Sequence, residues 1–310
     1  MKIAFLFSGQ GAQYPGMMQE LFETEPAAAR LFSEADEALG RAVSELCFNG
    51  TQEELNLTHN TQPCVLAADL AAGLILREHG IEPQGVAGFS LGEYAALTFA
   101  GAIPTRDVFP MVQLRADSMQ EAVPQGKGEM AALIGVPAGR IEQLCADAGD
   151  KYVIPANYNS PVQTVISGTK EGVEHVIAAA ESEGITCMRL AVSAPFHCAL
   201  MEPVAEKLAK LFETKAFADP SVPVYMNVNG ERLTDGAAIP ALLAKQAMSP
   251  VQWVKTLENM RADGFDTFIE CGPGRTLSGL VKKTLPGVAI HRVENRKTLD
   301  NTLSALEAQL

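Results

Sequence analysis

Residues 88–92 read Gly88-Phe89-Ser90-Leu91-Gly92, set between the apolar pair Val86-Ala87 and the helix-forming run Glu93-Tyr94-Ala95-Ala96-Leu97. A G-x-S-x-G pentapeptide between a short strand and a helix fits a nucleophile elbow, a tight turn that holds a serine hydroxyl clear of the backbone. Small glycines let the chain turn sharply, and the helix beyond offers free N–H groups to a developing oxyanion. The pentapeptide by itself also fits an ordinary glycine-rich turn, so its weight comes from the strand before it and the helix after it.

Strand-like apolar runs alternate with helical patterns along most of the chain, which predicts an α/β fold with a largely parallel sheet. The order begins with a strand at 2–7, a glycine-rich loop at 8–17 and helices near 18–38 and 62–79. A strand near 85–88, the Ser90 helix and a helix at 105–122 follow. Pro124-Gln125-Gly126-Lys127-Gly128 is a turn cluster and a candidate boundary. Beyond it the pattern is a strand at 130–134, a helix at 137–148, strands at 152–157 and 163–167, a helix at 170–183 and a strand at 186–192. That β-α-β-β-α-β order fits a ferredoxin-like subdomain spanning 125–193, inserted into a main domain of 1–124 and 194–310. Helices near 199–213, 236–246 and 252–262 and strands at 223–228 and 266–270 complete the main domain.

With 310 residues the chain can hold one large domain and a smaller one. Its net charge of −13 argues against a general nucleic-acid or anionic-membrane surface. The start Met1-Lys2-Ile3-Ala4-Phe5-Leu6-Phe7 is too short for a signal peptide and reads as a buried first strand. The longest apolar stretch, Val65 to Leu76, is interrupted by Asp69 and too short to span a bilayer. Six scattered cysteines with no C-x-x-C pair predict free thiols in a reducing cytoplasm. Five histidines without H-x-x-x-H or H-E-x-x-H spacing give a metal site no support.

A serine nucleophile needs a base within hydrogen-bond reach. The best-placed histidine is His197 in Ser193-Ala194-Pro195-Phe196-His197, just after the strand that closes the subdomain; His59, His79, His175 and His291 read as solvated. Further motifs follow one another in order: Phe7-Ser8-Gly9-Gln10-Gly11-Ala12-Gln13, Thr61-Gln62-Pro63, the elbow with Glu93, Ala156-Asn157-Tyr158-Asn159-Ser160-Pro161, the His197 stretch, and Glu270-Cys271-Gly272-Pro273-Gly274. Together they resemble the malonyl-CoA:acyl carrier protein transacylases of fatty-acid synthesis and the related acyltransferases of polyketide synthases. The resemblance covers essentially the whole chain. It implies an α/β-hydrolase-like core with a ferredoxin-like subdomain.

The resemblance also implies roles. Ser90 takes the malonyl group as an ester, and His197 serves as base toward Ser90, as acid toward the CoA thiolate, and as base toward the phosphopantetheine thiol. The backbone N–H groups of Gln10 and Leu91 form the oxyanion hole. Arg115, in Val112-Gln113-Leu114-Arg115-Ala116-Asp117, reads from spacing alone as a surface arginine; by resemblance it pairs bidentately with the malonyl carboxylate. Within Met248-Ser249-Pro250-Val251-Gln252-Trp253, the Gln252 carbonyl is assigned to orient His197. Gln62 lines the pocket and Asn157 hydrogen-bonds near His197, although both equally fit structural amides. Phe196 leaves little room for an α-methyl branch, a discrimination of about 1–3 kcal/mol.

One residue departs from the family: a histidine usually precedes the nucleophile, and here Phe89 does, which puts acyl selectivity in question. The implied partners are malonyl-CoA and acyl carrier protein, with no nucleic acid, no membrane and no metal or redox cofactor. Since carrier proteins are acidic and this chain is too, a local basic patch is needed. Arg275, Lys282, Lys283, Arg292, Arg296 and Lys297 are candidates for it, or a solvated set of helix-end charges. The alternatives are a discrete acyltransferase or acyl hydrolase serving a polyketide synthase, and a non-catalytic scaffold that kept the fold.

Overall fold

The computed structural model describes residues 1–124, 126–192 and 194–308. Gln125 and Ser193, the expected ends of the inserted subdomain, lie outside the described residues. The first part runs β1 (Ile3–Phe7), α1 (Gln19–Thr24), α2 (Pro26–Leu39), α3 (Val43–Asn49), α4 (Gln52–Leu55), α5 (Thr58–Glu78), β2 (Gly85–Gly88), α6 (Gly92–Phe99) and α7 (Thr105–Glu121). Next come β3 (Gly128–Ile134), α8 (Ala138–Ala146), β4 (Val153–Ser160), β5 (Gln163–Thr169), α9 (Lys170–Ser182) and β6 (Thr186–Arg189). Last are α10 (Glu202–Phe212), β7 (Val224–Tyr225), α11 (Ile239–Gln246), α12 (Trp253–Ala262), β8 (Thr267–Cys271), α13 (Thr276–Thr284), β9 (Ala289–Val293) and α14 (Arg296–Glu307).

Five strands form a parallel sheet in the order β7-β2-β1-β8-β9. Its centre, β1, is apolar at every position and buried on both faces, as a parallel strand between helical layers must be. Ile3, Phe5 and Phe7 alternate into one core layer with α5 and α6, where Phe5 and Phe7 each meet Phe99 at 5.5 Å. Ala4 and Leu6 turn into the other layer, against Trp253 and Leu257 of α12 and Leu280 of α13. Strand order reverses at β1, and the loops leaving β1, β2 and β8 at their carboxyl ends surround the switch point where α/β sheets bind ligands.

The second sheet is antiparallel, in the order β4-β5-β3-β6, with the β-α-β-β-α-β connectivity of a ferredoxin-like unit. Helices α8 and α9 cover one face with their own apolar core. The unit is tied to the main sheet's side at Val251, whose N–H reaches Ala156 O (2.9 Å) and whose carbonyl accepts from Tyr158 N (3.0 Å). The architecture is thus an α/β-hydrolase-like core carrying a small ferredoxin-like subdomain.

Several expected boundaries move for local reasons. The helix expected over 18–38 breaks at Glu25, whose extended backbone is what a residue before proline prefers, and α2 restarts with Pro26 in its first turn. The helix expected from 62 begins at Thr58, so Pro63 falls inside it. Pro63 has no N–H for the His59 carbonyl, and that oxygen instead accepts from Arg41 Nη2 (2.8 Å) and Gln113 Nε2 (3.2 Å). The strand expected over 223–228 pairs only at Val224–Tyr225. No helix among the described residues is long and apolar enough to cross a membrane.

The elbow explains its own glycines. A Cβ on Gly88 would lie 1.8 Å from Gly92 O, and one on Gly92 would lie 2.2 Å from Phe7 O, so strand and helix touch backbone to backbone. Neither obstacle can rotate away. Gly92→Ala is therefore expected to destabilise the fold by about 3 kcal/mol, the upper end of ordinary overpacking. The check is the urea midpoint; a shift equivalent to less than about 1 kcal/mol contradicts the close-approach argument.

Candidate active site

Ser90 sits at φ +53°, a left-handed conformation that costs a non-glycine residue free energy and must be held by its surroundings. Asn227, in the loop after β7, does the holding. Its Oδ1 accepts from Ser90 N (2.6 Å) and its Nδ2 donates to Gly88 O (2.7 Å), bracing both sides of the turn. The hydroxyl so presented lies 2.7 Å from His197 Nε2. His197 is also left-handed (φ +60°) and is 3 % exposed.

The partner of His197 Nδ1 is the carbonyl of Gln246, at 3.0 Å. A carbonyl can only accept, so Nδ1 carries the proton and Nε2 is left bare toward Ser90. The assignment of this task to Gln252 is corrected: Gln252 caps α12, and its carbonyl is occupied by Thr256 N (2.9 Å). Burial, and next the Arg115 charge, push the imidazole down to about 4, so the ring is neutral near pH 7.

Arg115 reaches the same point from α7 and is 1 % exposed, not a surface residue. Nη2 donates to Ser90 Oγ (3.1 Å) and Gln246 Oε1 (3.0 Å), and Nη1 to Gln62 Oε1 (2.7 Å). All three acceptors are neutral. No carboxylate lies within ion-pair distance of it among the described residues, and its Nε has no partner. Glu93 acts on the guanidinium only through space, with Gln246 bonded to both, and a buried cation with no directly bonded anion is costly unless the site is built to receive one.

Beneath the elbow lies Glu93, fully buried and absent from the expected site. Its Oε1 accepts from Asn227 N (2.6 Å) and its Oε2 from Gln246 Nε2 (2.7 Å). Burial pushes its carboxyl up to about 7. Gln246 Nε2 also donates to Ser90 O (2.7 Å), so one glutamine touches the Ser90 backbone, the His197 ring, the Arg115 guanidinium and this carboxylate. Asn227 and Gln246 lie 137 and 156 residues from Ser90, and no local motif marks either.

The amides of Gln10 and Leu91 have no acceptor among the described residues. Gln10 lines a cavity of about 340 Å³ beside Ser90, and Leu91 directly follows the serine at the start of α6. The Gln10 side chain donates to Thr58 Oγ1 (3.2 Å), while Ser8 Oγ anchors the loop on buried Asp69 (2.5 Å). Across the cavity stand Met130 and Val165 of the second sheet and Leu190 just after β6, with Phe196 beside His197. Asn157 lines this wall from β4, and the ring nitrogens of His197 go to Ser90 and Gln246 rather than to it. Phe89 lines the opposite wall and packs edge-on against Trp253 at 5.3 Å, so the position before the nucleophile is an apolar surface.

Among the other histidines, His59 meets Gln120 (3.2 Å) and His79 meets Glu25 (3.2 Å). Of the C-terminal cations, Arg292 pairs with Glu294 (2.7 Å) and Arg296 with Glu25 (2.6 Å). Arg275, Lys282 and Lys283 lie at the two ends of α13, whose Leu277 and Leu280 line the cavity.

The acyl transferase domain pattern matches residues 4–298. The chain is 43% identical over 311 residues to the malonyl CoA-acyl carrier protein transacylase of Bacillus subtilis, covering 99% of this chain and 98% of that one. It is 43% identical over 285 residues to the transacylase of the same name from Escherichia coli K12, covering 91% and 92%. Among solved structures, the malonyl CoA-acyl carrier protein transacylase of Clostridium perfringens superposes with a TM-score of 0.97 at 39% identity, covering 100% of this chain and 98% of that one. A malonyl-transacylase solved in complex with its type II polyketide synthase acyl-carrier protein superposes with a TM-score of 0.95 at 39% identity, covering 98% and 100%.

Proposed function

The chain belongs to the acyl transferase family, and we propose that it transfers a malonyl group from malonyl-CoA to the phosphopantetheine thiol of acyl carrier protein through an ester on Ser90. One observation carries the choice of acyl group. The Arg115 guanidinium is buried 3.1 Å from Ser90 Oγ with neutral hydrogen-bond partners only, so an acyl group bearing a free carboxylate supplies an anion bonded to it directly.

In the first half-reaction Ser90 Oγ attacks the thioester carbonyl and its proton passes to His197 Nε2. The oxyanion accepts from the amides of Gln10 and Leu91. The C–S bond then breaks, and His197 returns the proton to the departing CoA thiolate. In the second, Nε2 takes the proton of the carrier's thiol, the sulfur attacks the ester, and Ser90 leaves as its hydroxyl. His197 has no carboxylate behind it; the Gln246 carbonyl fixes its tautomer without adding charge. This chemistry runs on protein side chains, with CoA as leaving group. The reading places the enzyme in the cytoplasm, with residues 125–193 forming the subdomain that roofs the cavity.

Incubation with radiolabelled malonyl-CoA tests it. The expected result is one label per chain, on the peptide containing Ser90, discharged by added carrier protein. No label on the intact protein sinks the reading; label discharged only to water makes it a hydrolase.

A further inference from the structure

We propose that Glu93 is a positioning residue for this reaction that must be ionised for Ser90 to be acylated. The inference rests on the transfer reading above. Its geometric basis is the sense of the hydrogen bonds around one carboxylate. Asn227 N is a backbone amide and can only donate to Oε1. Gln246 must also donate to Oε2, because its amide cannot turn over: its Oε1 faces Arg115 Nη2, a group with donors only. Glu93 therefore meets a fixed donor at each oxygen. A carboxylate satisfies both with nothing left over, whereas a carboxylic acid adds an O–H that neither of these donors can accept, and an amide sets its own N–H against one of them.

What the carboxylate holds is the site itself. Asn227 carries the elbow through Ser90 N and Gly88 O. Gln246 carries Ser90 O, the Arg115 guanidinium and, by its backbone carbonyl, His197. The charged and titratable groups facing Glu93 are few. Arg115, from α7, favours the ionised form, and Tyr94 neighbours it on α6; Asn227 and Gln246, from the remaining sides, are neutral. Burial outweighs the Arg115 charge and pushes the carboxyl up to about 7, whereas His197 lies at about 4. The two groups thus predict different acid limbs.

The experiment is rapid-quench measurement of Ser90 acylation by radiolabelled malonyl-CoA across the pH range, for the wild-type chain, Glu93→Asp and Glu93→Gln. The wild-type rate is expected to fall about tenfold per pH unit below about 7. Glu93→Asp, still a carboxylate, keeps an acid limb in that region at reduced rate. Glu93→Gln loses on the order of 10²-fold, the cost of a displaced catalytic group, and its limb moves down toward the His197 value of about 4. A wild-type rate that stays flat down to that value overturns the proposal without any variant. So does a Glu93→Gln rate lowered equally at every pH with the limb in place, which is what a purely structural role gives. If wild-type protein takes no label at any pH, the transfer reading has failed rather than this one.

Discussion

His197→Ala is expected to slow acylation of Ser90 by malonyl-CoA on the order of 10⁴-fold while changing the affinity for malonyl-CoA less than about threefold. The reason is where the proton can go. With Nε2 2.7 Å from Oγ, the serine proton has one acceptor in the site, because the other group at hydrogen-bond distance from Oγ is Arg115 Nη2, a pure donor. Remove the imidazole and Ser90 faces only a cation. Ser90→Ala leaves no hydroxyl to acylate and is expected to take no label, and adding His197→Ala to it changes nothing further, since the pair acts as one unit. A single-turnover rate for His197→Ala within tenfold of wild type contradicts the role assigned to it. A second route to the same conclusion is independent of rate. Because His197 is buried neutral, with a folded value near 4 against 6.5 in the unfolded chain, it contributes stability that is fully present above pH 6.5 and is lost as pH falls toward 4. His197→Ala removes that part of the pH dependence, and denaturation midpoints measured on either side of the window show it.

The groups that carry proton transfer were the most legible in the sequence. Gly88 and Gly92 are demanded by backbone contact, and Ser90 by its place between them, so the elbow is written in five consecutive letters. His197 stands out because few residues can act as a base near neutrality, whereas Arg115 is marked by the family resemblance alone and reads from spacing as a surface arginine. What stayed hidden has no residue-type signature. A carbonyl that orients an imidazole can belong to any amino acid, which is why Gln252 was chosen where α11 delivers Gln246. Asn227 and Glu93 look like an ordinary loop amide and an ordinary helix-starting acid until the fold buries both. The same holds for architecture. The continuous apolar run of β1 announces a central parallel strand, whereas β9 is a half-buried edge strand carrying His291 and Arg292, and nothing in its pattern sets it apart from a loop. The short α3 and α4 are held by packing and by a capping box at Thr51 rather than by a long period.

Measured at a pH above both acid limbs, Arg115→Ala is expected to lower malonyl loading on the order of 10³-fold more than acetyl loading, turning a carboxylate-selective site into an indifferent one. A buried cation that pairs with a substrate carboxylate contributes roughly 3–5 kcal/mol, because its removal strands the partner charge in a dry cavity. Acetyl offers no charge and loses nothing comparable. Arg115→Lys is expected to recover little, since an ammonium cannot meet Gln62, Gln246 and a carboxylate fork together as the planar guanidinium does. Competition between malonyl-CoA and acetyl-CoA for Ser90 reads the ratio directly, and equal losses for the two acyl groups refute the assignment. The change also acts on the groups around it. Arg115 holds His197 down and favours the ionised form of Glu93, so its loss raises both values. The acid limb of the remaining acetyl reaction should therefore lie at higher pH than in the wild-type chain, while the loss of selectivity persists at pH values above both limbs. A selectivity change confined to low pH would instead trace to Glu93 protonation and leave the carboxylate unread.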